Sequence, residues 1–433
     1  MQTIQQLLSG ELIGTKHLKL SSNLTEFPLE ILDLHETLEI LDLSQNKLSN
    51  LPANFDKLSK LKIAFFSDNL FTELPDVLGK CQSLEMIGFK SNQIKTVSEN
   101  SLPIITRWLI LTNNQIEEIP KSLGSCYRLQ KLALAGNKIK ELPAEMVNCQ
   151  NVELIRISAN LLTNFPSWLL QLPKLSWVAF AGNPFSEMAQ IPNHLNQIEW
   201  ADLTLNEQLG QGASGIIYKS TLKGFDKDVA VKIFKGEITS DGLPLNEMNA
   251  SMAAGNHSNL VNVLGKIINH PEQKEGLVMS LIPENYKNLG NPPSLDSCSR
   301  DVFNVGTNFT LNQILNIASG TASVCKQLHS LGIIHGDLYA HNIMFDEEGN
   351  HLLGDFGAAT FYNTNSNIAE ALQKIEVRAY GCLLDDMLLN STEDIQHPTI
   401  KFLTQLRDNC LQSNILKRPL FSEIMLFLES NTF

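Results

Sequence analysis

The 433-residue chain is 43% apolar and 18% charged, which excludes a disordered or low-complexity polypeptide. Its net charge of −13 is uneven: residues 1–193 hold 17 Lys and Arg against 19 Asp and Glu, and the remainder holds 16 against 27. An acidic second half does not suit nucleic acid or anionic lipid as a partner.

No apolar run approaches the roughly 18 to 20 residues of a membrane span. Residues 1–8 lack the basic segment and apolar length of a secretory signal. The seven cysteines (81, 126, 149, 298, 325, 382 and 410) are scattered, odd in number and without a Cys-x-x-Cys pair, so neither a disulfide framework nor a zinc site is expected. Together these features predict a protein of two or three domains in a reducing, cytoplasmic compartment.

The first half is periodic. Asparagines recur at 23, 46, 69, 92, 114, 137, 160 and 183, every 23 residues with a single interval of 22. From the second onward, each follows an apolar pair at minus five and minus three, such as Leu41 and Leu43 or Leu109 and Leu111. Most precede an apolar residue and a Leu-Pro, Ile-Pro or Phe-Pro, as in Asn46-Lys47-Leu48-Ser49-Asn50-Leu51-Pro52. Alternation about the pair predicts a short strand with one face inward.

This pattern resembles the leucine-rich repeat over eight coils, residues 18–185, an α/β solenoid. The repeat asparagines are expected to bond neighbouring backbone, and Leu58, Leu61 and Leu84 to fill the continuous core. Residues 1–17, with Ile4, Leu7, Leu8, Leu12 and Ile13, are expected to form a helical cap over the first coil. The outward strand positions carry Phe65, Met86, Trp108, Ile110, Arg156 and Trp177, large groups where solvated polar ones are the rule. They predict a protein partner on the concave face. Residues 186–203, including Pro192, form the expected linker. They contain no Gly/Ser-rich spacer, so the halves are expected to hold a fairly fixed orientation.

From residue 204 the motifs change. Gly210-Gln211-Gly212-Ala213-Ser214-Gly215 is a G-x-G-x-x-G loop followed by Ile217, and Gly-rich turns let backbone approach phosphates closely. Ala230-Val231-Lys232 follows, then Glu247 in a stretch readable as helix over 245–254. A buried strand with Met279 and Leu281 comes next, and a helical stripe over 311–331. His335-Gly336-Asp337-Leu338-Tyr339-Ala340-His341-Asn342 and Asp355-Phe356-Gly357 complete the order.

This succession resembles the protein kinase family over residues 204–433, and implies a two-lobed α+β fold using ATP and Mg2+. By that resemblance Asp337 is the catalytic carboxylate, and Asn342 and Asp355 hold magnesium. Lys232 contacts the α- and β-phosphates and Glu247 pairs with it. The glycine loop (Gly210, Gln211, Gly212, Ala213, Ser214, Gly215), Ile217, Ala230, Met279 and Leu281 surround the nucleotide. His335 is read as a prop for the loop, and residues 283–309 are assigned no chemistry.

Four departures from the family pattern stand out. Gly336 replaces the Arg that receives an activating phosphate, so that switch is not expected. Tyr339 replaces a Lys that contacts the γ-phosphate, a role His341 could partly fill. There is no Ala-Pro-Glu, which leaves Arg418 without its usual Glu, and Glu376 stands where kinases have Asp. The path from Gly381 to Arg418 is short, so one helix of the second lobe is expected to be missing.

The sequence reading is therefore a protein kinase, Ser/Thr by family habit, whose repeats recruit a protein. Two alternatives stay open. One is a small-molecule phosphotransferase of the aminoglycoside and choline kinase kind, which shares His-Gly-Asp-Leu and lacks Ala-Pro-Glu. The other is a scaffold whose kinase half only senses ATP.

Overall fold

The structure, a computed structural model, describes residues 2–187 and 196–430. Two compact units divide the chain. The first comprises Met1–Lys174 with Asn183–Phe185, and the second Leu175–Gly182 with Ser186–Phe433.

In the first unit a short helix α1 (Ile4–Leu8) precedes seven three-residue strands: β1 (His17–Lys19), β2 (Ile40–Asp42), β3 (Ile63–Phe65), β4 (Met86–Gly88), β5 (Trp108–Ile110), β6 (Lys131–Ala133) and β7 (Leu154–Arg156). Each pairs in parallel with the next at a constant register. The central residue of each strand points inward, and Leu41, Ala64, Ile87, Leu109, Leu132 and Ile155 are buried together with Leu58, Leu61 and Leu84.

The asparagines close the turns. Asn137 donates from Nδ2 to the carbonyls of Leu111 and Leu134, both at 2.9 Å, and its Oδ1 accepts from the Ile116 amide at 3.0 Å. Asn69, Asn92, Asn114 and Asn160 repeat this arrangement on their own coils. One amide thus satisfies backbone groups of adjacent coils that no strand or helix could pair.

The cap is narrower than expected. Thr3 and Gln6 form a reciprocal capping box on α1. Only Leu7 of the predicted apolar set is buried, while Leu8 and Ile13 are exposed.

The second unit holds β8 (Trp177–Ala179) and a six-stranded sheet in the order β10-β11-β12-β14-β13-β9. Its strands are β9 (Gln197–Glu199), β10 (Leu203–Gln211), β11 (Gly215–Leu222), β12 (Val229–Phe234), β13 (Val263–Ile268) and β14 (Gly276–Ser280). Five are antiparallel, and β9 adds in parallel to the β13 edge. Residues 197–203, expected to be linker, are therefore sheet and a single 3₁₀ turn, with Ile198 and Trp200 packed on the sheet core. The rest of that stretch, with Pro192, lies partly outside the described residues.

Alternation along β12 sends Val229, Val231 and Ile233 into one apolar cluster. It leaves Ala230, Lys232 and Phe234 on the other face, where Phe234 packs with Met248 and Met252 of α2 (Pro244–Ala253). Below the sheet come β15 (Lys287–Asn288), α3 (Leu311–Ser330), β16 (Ile333–Ile334), β17 (Ile343–Phe345), β18 (His351–Leu353), β19 (Thr360–Phe361), α4 (Ala369–Leu389), α5 (Pro398–Cys410) and α6 (Phe421–Glu429). The stripe Ile314, Ala318, Ala322, Val324 and Leu328 of α3 is fully buried. Arg378-Ala379-Tyr380-Gly381 lies in the middle of α4, which begins at Ala369.

All seven cysteines are buried free thiols. Among the described residues no helix is long and apolar enough to cross a membrane.

Candidate active site

β16 and β17 flank the loop that carries the central motif, and their partners β19 and β18 fix its two ends. His335 is fully buried and braces the loop internally. Its Nε2 lies 2.9 Å from the Gly354 carbonyl, its Nδ1 accepts from the Asp337 amide at 3.3 Å, and its ring packs on Phe356. Gly336 donates its amide to Glu376 Oε1 at 2.7 Å, and Glu376 Oε2 lies 2.8 Å from His329 Nε2. Glu376 is fully buried. Burial alone would raise its carboxyl, but His329, the nearby His335 and the Gly336 amide outweigh this and hold it below the usual carboxylate range.

Asn342 donates from Nδ2 to the Asp337 carbonyl at 2.9 Å and to Asp337 Oδ2 at 2.8 Å. The amide nitrogen is thus spent on the loop, and its oxygen is the atom left for a cation. Asp355 has φ 54°, a left-handed backbone uncommon outside glycine, and its Oδ1 accepts from the Gly357 amide at 3.1 Å.

Above the loop, Lys232 forms an ion pair with Glu247 that is nearly closed to solvent. Burial pushes the Glu247 carboxyl up and Lys232 pulls it down, with Asp355 adding to the upward push; the net direction is up. A cavity of about 580 Å³ lies between sheet and loop. Gly210, Ile217, Ala230, Met279 and Leu281 line its apolar part, and Lys232, Glu247, Asn342 and Asp355 its polar end. The remaining glycine-loop residues, Gln211, Gly212, Ala213, Ser214 and Gly215, and Asp337 are not among its lining. The loop is closed on itself by a Gly212 amide to Gly215 carbonyl bond of 3.0 Å.

The donor set fits a magnesium nucleotide. One carboxylate and one amide oxygen at the mouth of the cavity are the partial ligand set Mg2+ takes when phosphates supply the rest. Among the described residues no group of three His, Cys, Asp or Glu side chains is placed to hold a metal.

One site feature escaped the sequence. Asp301 lies in the stretch assigned no chemistry, yet it accepts the His341 amide at 3.0 Å and lies 2.7 Å from His341 Nδ1. Burial alone would lower the His341 imidazole, but Asp301, with Asp337 and Asp355, holds it above the ordinary histidine value. No motif marks Asp301; only the fold brings it beside His341. Arg418 is also fully buried, and it donates to the carbonyls of Gln412 and Lys374 at 2.8 and 3.0 Å.

The concave-face expectation needs correction. Met86, Arg156 and Trp177 are buried, so they are not solvent-facing contacts, and only Phe65, Trp108 and Ile110 keep partial exposure. Trp177 is just 1% exposed because its ring stacks on Tyr339 at 4.3 Å and its Nε1 donates to the Leu338 carbonyl at 3.0 Å.

Comparison with known proteins bears on both units. Residues 203–382 match the family model described as protein tyrosine and serine/threonine kinase, and residues 37–58 match the leucine-rich repeat model. Cyclin-dependent kinase 11.1 of Caenorhabditis elegans is 32% identical over 160 residues, 36% of this chain and 21% of that protein. A probable serine/threonine-protein kinase of Dictyostelium discoideum is 27% identical over 200 residues, 46% of this chain and 11% of the relative. The RGS domain-containing serine/threonine-protein kinase A of the same organism is 26% identical over 272 residues, 54% of this chain and 23% of the relative. The chain therefore spans less than a quarter of the length of these relatives. Motif order, cavity and family match lead to one assignment: the chain carries leucine-rich repeats in its N-terminal half and a protein kinase domain over residues 203–382.

Proposed function

We propose that this protein transfers the γ-phosphate of Mg·ATP to a serine or threonine hydroxyl of a protein recruited by its repeats. The observation that carries the reading is the convergence of Lys232, Glu247, Asn342 and Asp355 on one cavity, with Asp337 tied to Asn342 at its mouth. Asn342 and Asp355 would hold magnesium, which would supply neutralisation of the phosphate charge. Lys232, kept in place by Glu247, meets the α- and β-phosphates. Ala230, Ile217, Met279 and Leu281 sandwich the base, and the backbone of the glycine loop covers the phosphates. Asp337 accepts the proton of the attacking hydroxyl and aims its oxygen.

The serine/threonine choice is supported by the names of the relatives, and recruitment by the repeat array. Phe65, Trp108 and Ile110 are the partly exposed strand residues that a partner would cover. Lys131 Nζ sits 4.3 Å from the Trp108 ring centre, a cation–π contact that keeps the indole presented.

The test is transfer of label from γ-labelled Mg·ATP to a cell lysate, with Asp337→Asn as control. Label on protein serine or threonine that vanishes in the variant is expected. Asp337-dependent label confined to small molecules, or no label at all, would overturn the reading. Trp108→Ser with Ile110→Ser should reduce labelling of the recruited protein and leave labelling of a generic substrate unchanged.

A further inference from the structure

The residues of β8 make contacts that neither the repeat pattern nor the kinase motifs account for. Trp177 lies flat on Tyr339, with ring centres 4.3 Å apart and planes 7° apart, and donates its indole N–H to the Leu338 carbonyl at 3.0 Å. Tyr339 in turn packs on His341 at 4.9 Å, and His341 lines the nucleotide cavity. A row of three rings therefore leads from β8 into the site. Two further contacts flank it. The Phe180 amide donates to Thr360 Oγ1 at 3.2 Å, just after Asp355-Phe356-Gly357. The Val178 carbonyl comes so near Gly336 that a β-carbon there would sit 2.6 Å from it.

From these contacts we propose that residues 176–180 are a built-in strut for the catalytic loop, with Trp177 as its positioning residue. The inference rests on the kinase reading above. Leu338 and Tyr339 directly follow Asp337, so whatever fixes them fixes the carboxylate that aims the hydroxyl. His335 and Glu376 hold Asp337 and the residue before it, while Asn342 ties back to Asp337 and Asp301 holds His341 further along the loop. Trp177 holds the two residues that directly follow Asp337, namely Leu338 and Tyr339. Removing the indole leaves the Leu338 carbonyl without this donor in a dry site. It also frees Tyr339 to tilt, and displacement of a reacting group by about 1 Å can cost on the order of 100-fold in rate. Trp177 is not among the residues that line the cavity, so its loss should act on turnover and spare ATP binding. Ring and N–H together do here, without a covalent signal, what an ordered, phosphorylated segment does where an Arg precedes the catalytic Asp.

The experiment compares full-length wild type with Trp177→Leu and Trp177→Phe. Leu keeps apolar volume in the buried site but has neither ring nor N–H, and Phe keeps a ring. Kcat and KM for ATP are measured on a protein substrate, with dissociation of a fluorescent ATP analogue alongside. The expected result is a kcat at least tenfold lower for Trp177→Leu and about threefold lower for Trp177→Phe, with nucleotide affinity within twofold in both. The strut is overturned if folded Trp177→Leu keeps kcat within twofold of wild type, or if kcat and nucleotide affinity fall together without recovery in Trp177→Phe. Should Trp177→Leu fail to fold, Trp177→Phe decides, and wild-type turnover in it overturns the strut. A wild type that transfers no phosphate overturns the kinase reading itself, a failure distinguishable from the others.

Discussion

Glu376 and Gly336, forty residues apart, are joined by a 2.7 Å hydrogen bond from the glycine amide to a fully buried carboxylate. The second oxygen of Glu376 meets His329 at 2.8 Å, so one side chain of α4 ties helix α3 to the catalytic loop. Glu376→Ala would strand the Gly336 N–H and His329 in the interior. Breaking a buried pair from one side costs about 3–5 kcal/mol. Urea unfolding should show a loss of that size, and Glu376→Gln, which can still accept from Gly336, a smaller one. Because the carboxyl is held below its ordinary value of 4.5, its stabilisation is complete above that pH and is lost as pH falls through the depressed value.

Gly336 itself admits no side chain. Its φ is +73°, and a β-carbon would lie 2.6 Å from the Val178 carbonyl oxygen and 2.7 Å from that of Ala358. Both obstacles are backbone and cannot swing away. Gly336→Ala should destabilise the protein by on the order of 2 kcal/mol or more, read as a lower thermal midpoint, with a loss of transfer. Gly336→Arg, which restores the residue common in kinases, should be worse still.

His351 gives a pH dependence independent of the active site. Buried in β18 near Thr321 and Asn259, it has its imidazole pushed down to about 4 by burial, with His257 adding to the effect. A histidine with a depressed value favours folding fully above its ordinary 6.5, and stability declines as pH falls from 6.5 toward 4, where the unfolded chain takes up the proton first. The decline amounts to about 3 kcal/mol over that window. Thermal midpoints measured from pH 7 to 4 should fall more steeply for wild type than for His351→Gln.

In the repeats, Asn137→Ala removes three hydrogen bonds to buried backbone in adjacent coils. Each stranded group costs about 1–3 kcal/mol. The variant should unfold at clearly lower denaturant, whereas Asn164→Ala, an exposed asparagine outside the pattern, should not.

How far the sequence reveals this molecule follows from the range of the interactions. The coils are legible because each asparagine acts on backbone within about one repeat of itself, so the period is written into the chain. The order Lys232, Glu247, Asp337, Asn342 and Asp355 can be read along the chain, and the fold brings all of these but Asp337 to the lining of one cavity. Trp177 was not legible: within its repeat it occupies an outward position, and its stacking partner lies in the catalytic loop of the same unit, far along the chain. Asp301 was hidden for the same reason, being forty residues before the histidine it holds. The strand β9 was missed because Gln197–Glu199 alternates too briefly to announce itself and gains its partner only from the edge of β13.

The most direct test of the central claim is the rate of phosphate transfer from Mg·ATP to protein by wild type and Asp337→Asn at equal nucleotide occupancy. Loss of a positioned proton acceptor should slow transfer by roughly 100- to 10,000-fold, with ATP still bound, because Lys232, Glu247 and Asp355 are untouched. Equal rates in the two proteins, or no transfer by wild type, would contradict the assignment of Asp337 and the kinase activity built on it.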